Sequence, residues 1–305
     1  MGTRVNGPAP CRRVVCAACA KINLTLEVLG RRPDGYHEVR TVLQAIDLRD
    51  TLAAEASDDL TLTCDRKELE GSDNLALRAA HLLRQAAGVR AGAHLTLHKR
   101  IPVAAGLGGG SADAVAALRA LDCLWGLGWP VERLASLAER LGSDVPFFLY
   151  GGTALGEGRG ERLTPLPALP PHWVVVAVPA ATMEGKTATL YARLTAEDRS
   201  TGQATALLTQ WLRAGATGEM PRLYNAFWRH AFNTFPGVGD AWRAFMDAGA
   251  YSVHLSGAGP ALFALEPDEA EARRIQGRLR AAGLVAEVCR TMDRLEPCLE
   301  QRGAT

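Results

Sequence analysis

An alternation of apolar and polar residues over residues 14–30 predicts the first strand of this chain. Because successive side chains of a strand point to opposite faces, the apolar residues beyond Ala20 share one face. The opposite face collects the polar residues Lys21, Asn23, Thr25 and Glu27. Comparable patterns predict further strands over residues 39–48, 59–64, 94–99, 173–178 and 261–265.

Apolar residues at three- and four-residue spacing predict helices between these strands. The clearest three cover residues 74–87, 111–125 and 131–141. Further helices are expected later in the chain, between residues 178 and 248. A proline-dense stretch over residues 165–171 is typical of an interdomain linker. We therefore expect an α+β chain with a loose tail at residues 1–12 and two domains, at residues 13–168 and 169–300.

The charge balance argues against nucleic acid or a membrane surface as the partner. Lys and Arg number 34 and Asp and Glu number 33, which gives a formal net charge of +1. No apolar run reaches the roughly 18 to 20 residues of a membrane-spanning helix, and the first ten residues lack the apolar core of a secretory signal. We expect a cytoplasmic monomer or homodimer that acts on a small molecule and binds neither nucleic acid nor membrane.

The seven cysteines are scattered and odd in number, which is unlike a disulfide framework. We therefore expect reduced thiols. Cys16 and Cys19 have the spacing of a redox or zinc motif, but they lie within a predicted strand, and no second Cys or His pair follows in register. The pattern favours a structural role for this pair over a metal site.

A glycine-dense segment joins the strand at residues 94–99 to the helix at residues 111–125. Four of the five residues 106–110 are glycines, and residues without a Cβ let several backbone N–H groups approach one anion. The positive end of the following helix dipole faces this segment. The segment therefore predicts a phosphate-binding loop, although it fits neither the dinucleotide fingerprint nor the Walker pattern. The alternative is a glycine-rich turn that binds nothing.

A competing phosphate-loop candidate lies at residues 180–187, which match a relaxed Walker pattern after the strand at residues 173–178. Only one glycine lies inside it, and Pro179 stands at its entrance. No hydrophobic strand that ends in Asp follows at a distance suited to hold magnesium. We therefore favour the loop that precedes Ser111.

Three other segments carry candidate chemistry. Asp144 stands among apolar residues, where it could be a helix cap or a catalytic acid. Tyr36 and His37 directly follow a turn at residues 31–35 and could meet a planar ligand. A second glycine turn at residues 256–260 could close over the phosphate loop.

Five motifs occur in the order typical of the GHMP small-molecule kinases. They are Ala20-Lys-Ile-Asn-Leu24, Asp34-Gly-Tyr-His-Glu38, the glycine loop with Ser111 and Asp113, Gly142-Ser-Asp-Val-Pro-Phe-Phe148 and Ser256-Gly-Ala-Gly259. The chain resembles this family over residues 17–265. The resemblance implies an N-terminal ribosomal-protein-like α/β domain, a C-terminal ferredoxin-like domain and an active site in the cleft between them.

The resemblance also implies ATP with Mg²⁺ as the phosphoryl donor. Asp144 would take a proton from the acceptor hydroxyl while Lys21 polarises the reacting groups. The implied ATP site consists of Asn74, Lys99, Pro102, Val103, Ala104, Ala105, Gly106, Leu107, Gly108, Gly109, Gly110 and Ser111. The ligands of the metal are not assigned.

Within this family, the Lys-x-Asn pair and the Asp-Gly-Tyr-His turn resemble members that phosphorylate the 2-hydroxyl of a cytidylyl methylerythritol. The resemblance implies that the cytosine lies between Tyr36 and Tyr191, with hydrogen bonds from His37. The full set of implied acceptor-binding residues is Asn23, Tyr36, His37, Thr187 and Tyr191.

Two departures from the family pattern keep other functions open. Ala112 stands where the family usually has a second serine, and residues 179–187 differ from its usual short substrate loop. The chain could therefore be a family kinase for another acceptor, or a nucleotide-binding protein without catalysis. The presence of both Asp144 and Lys21 argues against the second alternative.

Overall fold

Two β-sheets organise the chain in a computed structural model, which describes residues 11–179 and 186–302. The strands are β1 (Cys11–Arg31), β2 (His37–Ser57), β3 (Leu60–Cys64), β4 (Gly92–His98), β5 (Thr153–Gly158), β6 (Arg162–Pro165), β7 (Trp173–Val178), β8 (Tyr224–Asn225), β9 (His254–Leu255), β10 (Leu262–Glu266), β11 (Val285–Arg290) and β12 (Leu299–Arg302). The helices are α1 (Leu75–Ala87), α2 (Gly109–Leu124), α3 (Val131–Glu139), α4 (Phe147–Tyr150), α5 (Lys186–Arg193), α6 (Gln203–Arg213), α7 (Trp228–Thr234), α8 (Val238–Asp247) and α9 (Glu269–Ala281). These elements confirm the predicted α+β class.

The first sheet has the strand order β12-β1-β2-β4-β3, and β1 and β2 are each 21 residues long. The first part of β2 pairs with β5, which also pairs with β6, and the last part of β2 pairs with β4. The ladder between β1 and β2 shifts register at Cys19/Lys21, Asn23/Thr25 and Val28/Gly30. Such irregularities bend a strand pair and re-aim its side chains, and here they flank the polar residues of β1.

Strand β2 continues to Ser57, well past its predicted end at residue 48. Leu52 and Ala54 continue the apolar pattern and are fully buried, but the polar Asp50 interrupts that pattern. Asp50 is buried as well, because its carboxylate accepts hydrogen bonds from the backbone N–H groups that follow Lys99. A contact from outside the strand therefore explains the polar residue within it.

Helix α2 packs against the first sheet through a face that is rich in alanine. Five of its nine buried residues are alanines, and small side chains let a helix lie close to the strands beneath it. The helix begins at Gly109, two residues before the predicted start at Ser111, because Gly108 adopts a left-handed conformation with φ of 74°. No helix within residues 11–179 and 186–302 is long and apolar enough to cross a membrane.

The second sheet is antiparallel, with the order β11-β7-β10-β9, and helices α8 and α9 pack against it. Strand β7 has the predicted bounds, and its residues Val174 and Val176 join a core that also contains Ile22 and Leu24 of β1. Because this core covers the apolar face of β1, the polar face that carries Lys21 is turned away from it. Lys21 is nonetheless buried, with 3% of its surface exposed.

The C-terminal segment leaves the second sheet and returns to the first. The backbone N–H of Met292 donates to the carbonyl of Ala45 at 2.9 Å, and β12 then pairs with β1. On this path Cys298 meets Cys16, and the two form a disulfide with a Cα–Cα distance of 4.5 Å. The expectation of reduced thiols is therefore wrong for this pair, because β-pairing brings together residues that are 282 positions apart. The domain bounds stay a prediction, and β12 shows that the end of the second segment contributes to the first sheet.

Candidate active site

Two adjoining cavities are lined by most of the predicted site residues, although Lys21 and Leu107 line neither of them and Asn23 lines a separate third cavity. The larger one, about 1140 Å³, is lined by the turn after β1, the loop before α4, helix α5 and the β5–β6 turn. The smaller one, about 370 Å³, is lined by the glycine loop, the start of α1 and Lys99. Leu75 and Ser111 line both cavities, so they mark the place where the two meet.

Lys21 connects the glycine loop to the larger cavity. Its ammonium donates hydrogen bonds to the carbonyl of Gly106 at 2.7 Å and to Oδ1 of Asn23 at 2.6 Å. The same Nζ lies 3.9 Å from Oδ2 of Asp144. Burial lowers the pKa of Lys21 because it penalises the charged form, and the carboxylate of Asp144 opposes that shift. A cation is thus positioned between the loop and the acid.

Asn23 is engaged at both ends of its side-chain amide. Its Nδ2 donates to Oγ1 of Thr41 at 2.8 Å, while its Oδ1 accepts from Lys21. The Thr41 hydroxyl in turn donates to the backbone carbonyl of Thr25. This chain of hydrogen bonds orients Lys21, and the predicted contact of Asn23 with the acceptor stays a prediction.

Asp144 faces the larger cavity with half of its side chain exposed. The following helix, α4, has Pro146 at its N-cap and no side-chain cap hydrogen bond. Asp144 therefore does not cap this helix, and its catalytic role stays a prediction. Its carboxylate is available to a ligand in the cleft and has the Lys21 ammonium as its neighbouring charge.

The second glycine turn packs directly on the first, as its position in the sequence predicts. The hydroxyl of Ser256 donates to the carbonyl of Gly106 at 3.0 Å, and the N–H of Ala261 donates to the carbonyl of Ala105 at 3.0 Å. A Cβ added to Gly106, which has φ of 87°, would lie 2.4 Å from the carbonyl oxygen of Ser256. Only glycine fits here, because the two backbones approach too closely for a side chain.

The start of α2 supplies the donors of the phosphate loop. The first helical hydrogen bond of this segment runs from the N–H of Ala112 to the carbonyl of Gly108. The N–H groups before Ala112 precede that bond, as at the start of any helix, and can serve an anion. All predicted loop residues line the smaller cavity except Leu107, whose side chain is buried in the core and whose carbonyl accepts from the N–H of Lys21.

Lys99 lines the smaller cavity, but its ammonium is already held by two buried carboxylates. It donates to Asp50 and, at 2.6 Å, to Oδ2 of Asp113. Burial raises the pKa of Asp113 to about 7, against the opposing charge of Lys99. Asn74 is also engaged, since its side chain accepts from the N–H of Ala76 and caps α1. Contacts of Lys99 and Asn74 with adenine stay predictions.

An aromatic cluster forms the far end of the larger cavity. The rings of His37 and Tyr191 stack with centroids 4.8 Å apart, and Phe227 meets Tyr191 edge-on at 4.9 Å. Tyr36 lies beside them with 56% of its surface exposed. Burial and the charges of two nearby arginines lower the pKa of His37, so its imidazole is neutral at pH 7 and can both donate and accept a hydrogen bond. Thr187 lines the same wall.

Several residues that shape this site have no signal in the sequence. Arg159 and Arg199 line the larger cavity, and Asp50 supports the entry to the glycine loop. Asp50 and Arg159 come from stretches where the pattern does not predict a strand or turn, so only the packing of the sheet reveals them. Among the described residues no three His, Cys, Asp or Glu side chains cluster as a metal site. The competing loop candidate at residues 180–187 lies mostly outside the described residues.

Two family profiles match the chain. Residues 74–152 match "GHMP kinases N terminal domain", and residues 209–284 match "GHMP kinases C terminal". The first segment contains the glycine loop and Asp144, and the second contains strands β9 and β10 of the second sheet.

The chain is also similar to curated proteins over nearly its whole length. It is 41% identical to a 4-diphosphocytidyl-2-C-methyl-D-erythritol kinase of Dehalococcoides mccartyi, over 92% of this chain and 98% of the relative. A protein of the same name from Pelotomaculum thermopropionicum is 44% identical, also over 92% of this chain and 98% of the relative.

Solved structures show the same architecture. A crystal structure of 4-(cytidine 5'-diphospho)-2C-methyl-D-erythritol kinase superposes with a TM-score of 0.79 at 38% identity, over 91% of this chain and 98% of that one. The homoserine kinase from Cytophaga hutchinsonii superposes with a TM-score of 0.71 at 19% identity, over 99% of this chain and 100% of that one. The second similarity concerns the fold alone.

Proposed function

Because the chain belongs to the GHMP kinase family and is a small-molecule kinase that uses ATP, we propose that it phosphorylates the 2-hydroxyl of 4-diphosphocytidyl-2-C-methyl-D-erythritol. This reaction supplies a step of the non-mevalonate route to isoprenoid precursors. The relatives that share about two fifths of its residues carry the name of this kinase.

One observation carries the proposal: the Lys21–Asp144 pair joins the glycine loop, which lines the smaller cavity, to the larger cavity. On one side, Lys21 contacts the glycine loop through the carbonyl of Gly106. On the other side, Asp144 faces the cavity that ends at His37 and Tyr191. An ATP held by the loop and an acceptor held by the aromatic cluster would therefore bring their reacting ends to this pair.

Asp144 is the group suited to move the proton. Its half-exposed carboxylate can accept the proton of the acceptor hydroxyl as that oxygen attacks the γ-phosphorus of ATP. Lys21 lies 3.9 Å away and can offset the negative charge that develops on the transferred phosphoryl group. The N–H groups at the start of α2 bind the phosphates, so positioning and charge neutralisation account for most of the catalysis.

Magnesium enters this scheme as part of the substrate, the Mg²⁺–ATP complex. The ion usually keeps several waters and binds through nucleotide phosphates with one or two protein oxygens. The described residues fit that mode, because they contain no cluster of three metal-ligating side chains and yet place the Ser111 hydroxyl and Asp144 around one cleft. The bound ion neutralises phosphate charge.

The aromatic cluster supports a pyrimidine-bearing acceptor. A neutral His37 offers one donor and one acceptor to the edge of a base, and its stack on Tyr191 holds the imidazole in place. The exposed ring of Tyr36 offers a face on which a base can stack. A short alcohol such as homoserine would leave this end of the cavity unfilled.

The test is ADP release by the purified protein with Mg²⁺–ATP and one acceptor at a time. The acceptors are 4-diphosphocytidyl-2-C-methyl-D-erythritol, homoserine and mevalonate, beside a blank without acceptor. We expect release with the cytidylyl compound alone, and phosphorus NMR of the product should show a new phosphomonoester. Release with another acceptor only would show a kinase of different specificity. Release with none, despite ATP binding, would contradict the proposed reaction.

A further inference from the structure

Arg159 enters the larger cavity from the turn between β5 and β6. Its guanidinium carbon lies 4.8 Å from the centroid of the Tyr36 ring. In the same turn, a Cβ built on Gly160 would lie 3.9 Å from Oδ1 of Asp144, so the backbone of this turn runs close to Asp144. The turn that carries Arg159 therefore reaches the Tyr36 ring through the guanidinium and approaches Asp144 through its backbone.

The turn itself is held by Glu161. One oxygen of Glu161 accepts from the backbone N–H of Arg159 at 2.5 Å, whereas the other lies 3.8 Å from Nε of the Arg159 side chain. The Glu161 carboxylate thus supports the backbone more closely than it pairs with the guanidinium. The Arg159 side chain is 37% exposed and can turn its remaining donors toward a ligand.

The charges around the cavity favour an anion. Arg31, Arg159 and Arg199 line its wall, and the carboxylates on that wall are Asp144 and Asp198. Asp198 lies 3.0 Å from Nε2 of His230 and accepts hydrogen bonds from the backbone N–H and the hydroxyl of Thr195. Asp34, a further carboxylate near Arg159, accepts from the N–H of Tyr36 and from Arg32. Three arginines thus face two carboxylates on this wall, and Asp198 is held by partners of its own, so the charge of the lining is positive even though Glu161 lies 3.8 Å from Arg159.

We propose that Arg159 binds the diphosphate group of the acceptor and so selects nucleoside diphosphate esters over uncharged alcohols. The inference rests on the proposed function, because that acceptor carries its diphosphate between the cytosine and the reacting alcohol. A guanidinium presents paired donors that match phosphate oxygens, and hydrogen bonds between charged groups are the strong ones. A turn that contacts Tyr36 through Arg159 and passes close to Asp144 through its backbone lies where that linker is expected.

The first test compares the kinetics of Arg159→Gln with those of the wild type. We expect the KM for the cytidylyl acceptor to rise about tenfold or more, because the substitution removes a hydrogen bond between charged groups, which is stronger than one between neutral groups. The KM for ATP should stay within about twofold, since the glycine loop is not touched. Arg159→Lys keeps the charge and should recover part of the lost affinity. Arg162→Gln is the matched control, because it removes the same charge from the same hairpin outside the cavity.

The second test separates an anion contact from an effect on the Tyr36 ring. Cytidine and cytidine diphosphate are titrated calorimetrically, with a non-hydrolysable ATP analogue filling the ATP site. We expect Arg159→Gln to weaken binding of the diphosphate about tenfold and to leave cytidine binding within about twofold. Equal losses for both ligands would show that Arg159 acts through Tyr36, and an unchanged preference for the diphosphate would also overturn the inference.

These outcomes distinguish the two proposals. Suppose the wild type does not phosphorylate the cytidylyl acceptor but prefers cytidine diphosphate to cytidine, and Arg159→Gln abolishes that preference. The proposed reaction then fails and the anion site stands. If the wild type is active and Arg159→Gln changes neither the acceptor KM nor the preference for the diphosphate, the reaction stands and the assignment of Arg159 fails.

Discussion

Lys21 shows how much of a residue's chemistry depends on its surroundings. The side chain is buried, so its ammonium loses hydration, and three oxygens replace that hydration in part. Two of these belong to Asn23 and to the glycine loop, and the third belongs to Asp144 at a longer distance. At 3.9 Å the ammonium and the carboxylate are not hydrogen-bonded to each other, so one ligand oxygen beside the pair can contact both, which is where the reacting hydroxyl is proposed to lie.

Asp144→Asn tests the proton acceptor. The amide cannot take the proton, so we expect kcat to fall by about 10²–10⁴-fold, the range usual for general acid–base groups. ATP affinity, measured by calorimetry, should stay within about twofold because the loop donors are unchanged. Asp58→Asn, an exposed position remote from the cavities, is the control for charge loss. Turnover like that of the wild type in Asp144→Asn would remove Asp144 from the mechanism.

The residue scale also shows why Lys99 could not be interpreted from sequence alone. Its position before the glycine loop and the family pattern favour a contact with adenine, but its ammonium lies between Asp50 and Asp113. Asp113 follows the loop in the sequence, while Asp50 comes from the middle of β2. The cluster ties strand, loop and helix together, and local spacing cannot predict it because its members belong to three elements.

At the scale of elements, the two glycine turns behave as one unit. Each contributes backbone carbonyls and N–H groups to the other, and the contact at Gly106 leaves no space for a methyl group. The order of the motifs predicts both turns, and the structure confirms that they meet. Strands β5 and β6 were not predicted, because alanine and glycine residues within β5 give only a weak alternation.

Gly106→Ala should separate the two turns. The added Cβ would clash with the Ser256 carbonyl, and an alanine at the positive φ of residue 106 costs about 1–2 kcal/mol more. We therefore expect the free energy of unfolding to fall by about 2–4 kcal/mol. The KM for ATP should rise, because Gly106 also positions Lys21.

Gly126→Ala is the matched control for this change. Gly126 has φ of 63°, and a Cβ built there meets no atom within 4 Å. Gly126→Ala should therefore show the conformational cost alone: the free energy of unfolding in urea should fall by about 1–2 kcal/mol and the KM for ATP should not change. Equal effects of the two substitutions on ATP would show that the close approach at Gly106 does not shape the phosphate site.

At the scale of the whole molecule, the C-terminal segment closes the structure. It carries the chain from the second sheet back to the first, where Met292 contacts Ala45 and Glu296 pairs with Arg49. The disulfide between Cys16 and Cys298 then joins the segment to β1. The two sheets are thus connected by a shared core, and the disulfide fixes the returning segment to the first sheet.

Cys298→Ser should lower the free energy of unfolding by about 2–4 kcal/mol, the range usual for removal of a disulfide. The cause is the freedom that the unfolded chain regains when a loop of 282 residues is opened. Thermal melting with and without dithiothreitol provides the control within one experiment. The reductant should lower the Tm of the wild type and leave that of Cys298→Ser unchanged. An equal response of both proteins would contradict a stabilising disulfide.

By itself, the sequence determined the α+β class, the strand that became β7, the two glycine turns and the family to which the chain belongs. These features depend on residue type and spacing over a few positions, which a local pattern contains. Only the tertiary structure decided that Lys21 lies between the loop and Asp144, that Asp50 and Asp113 hold Lys99, and that Arg159 enters the cleft. It also decided that Cys16 and Cys298 meet. These contacts join residues that are far apart in the chain, so they exist only once the strands have paired and the two sheets have packed around their shared core.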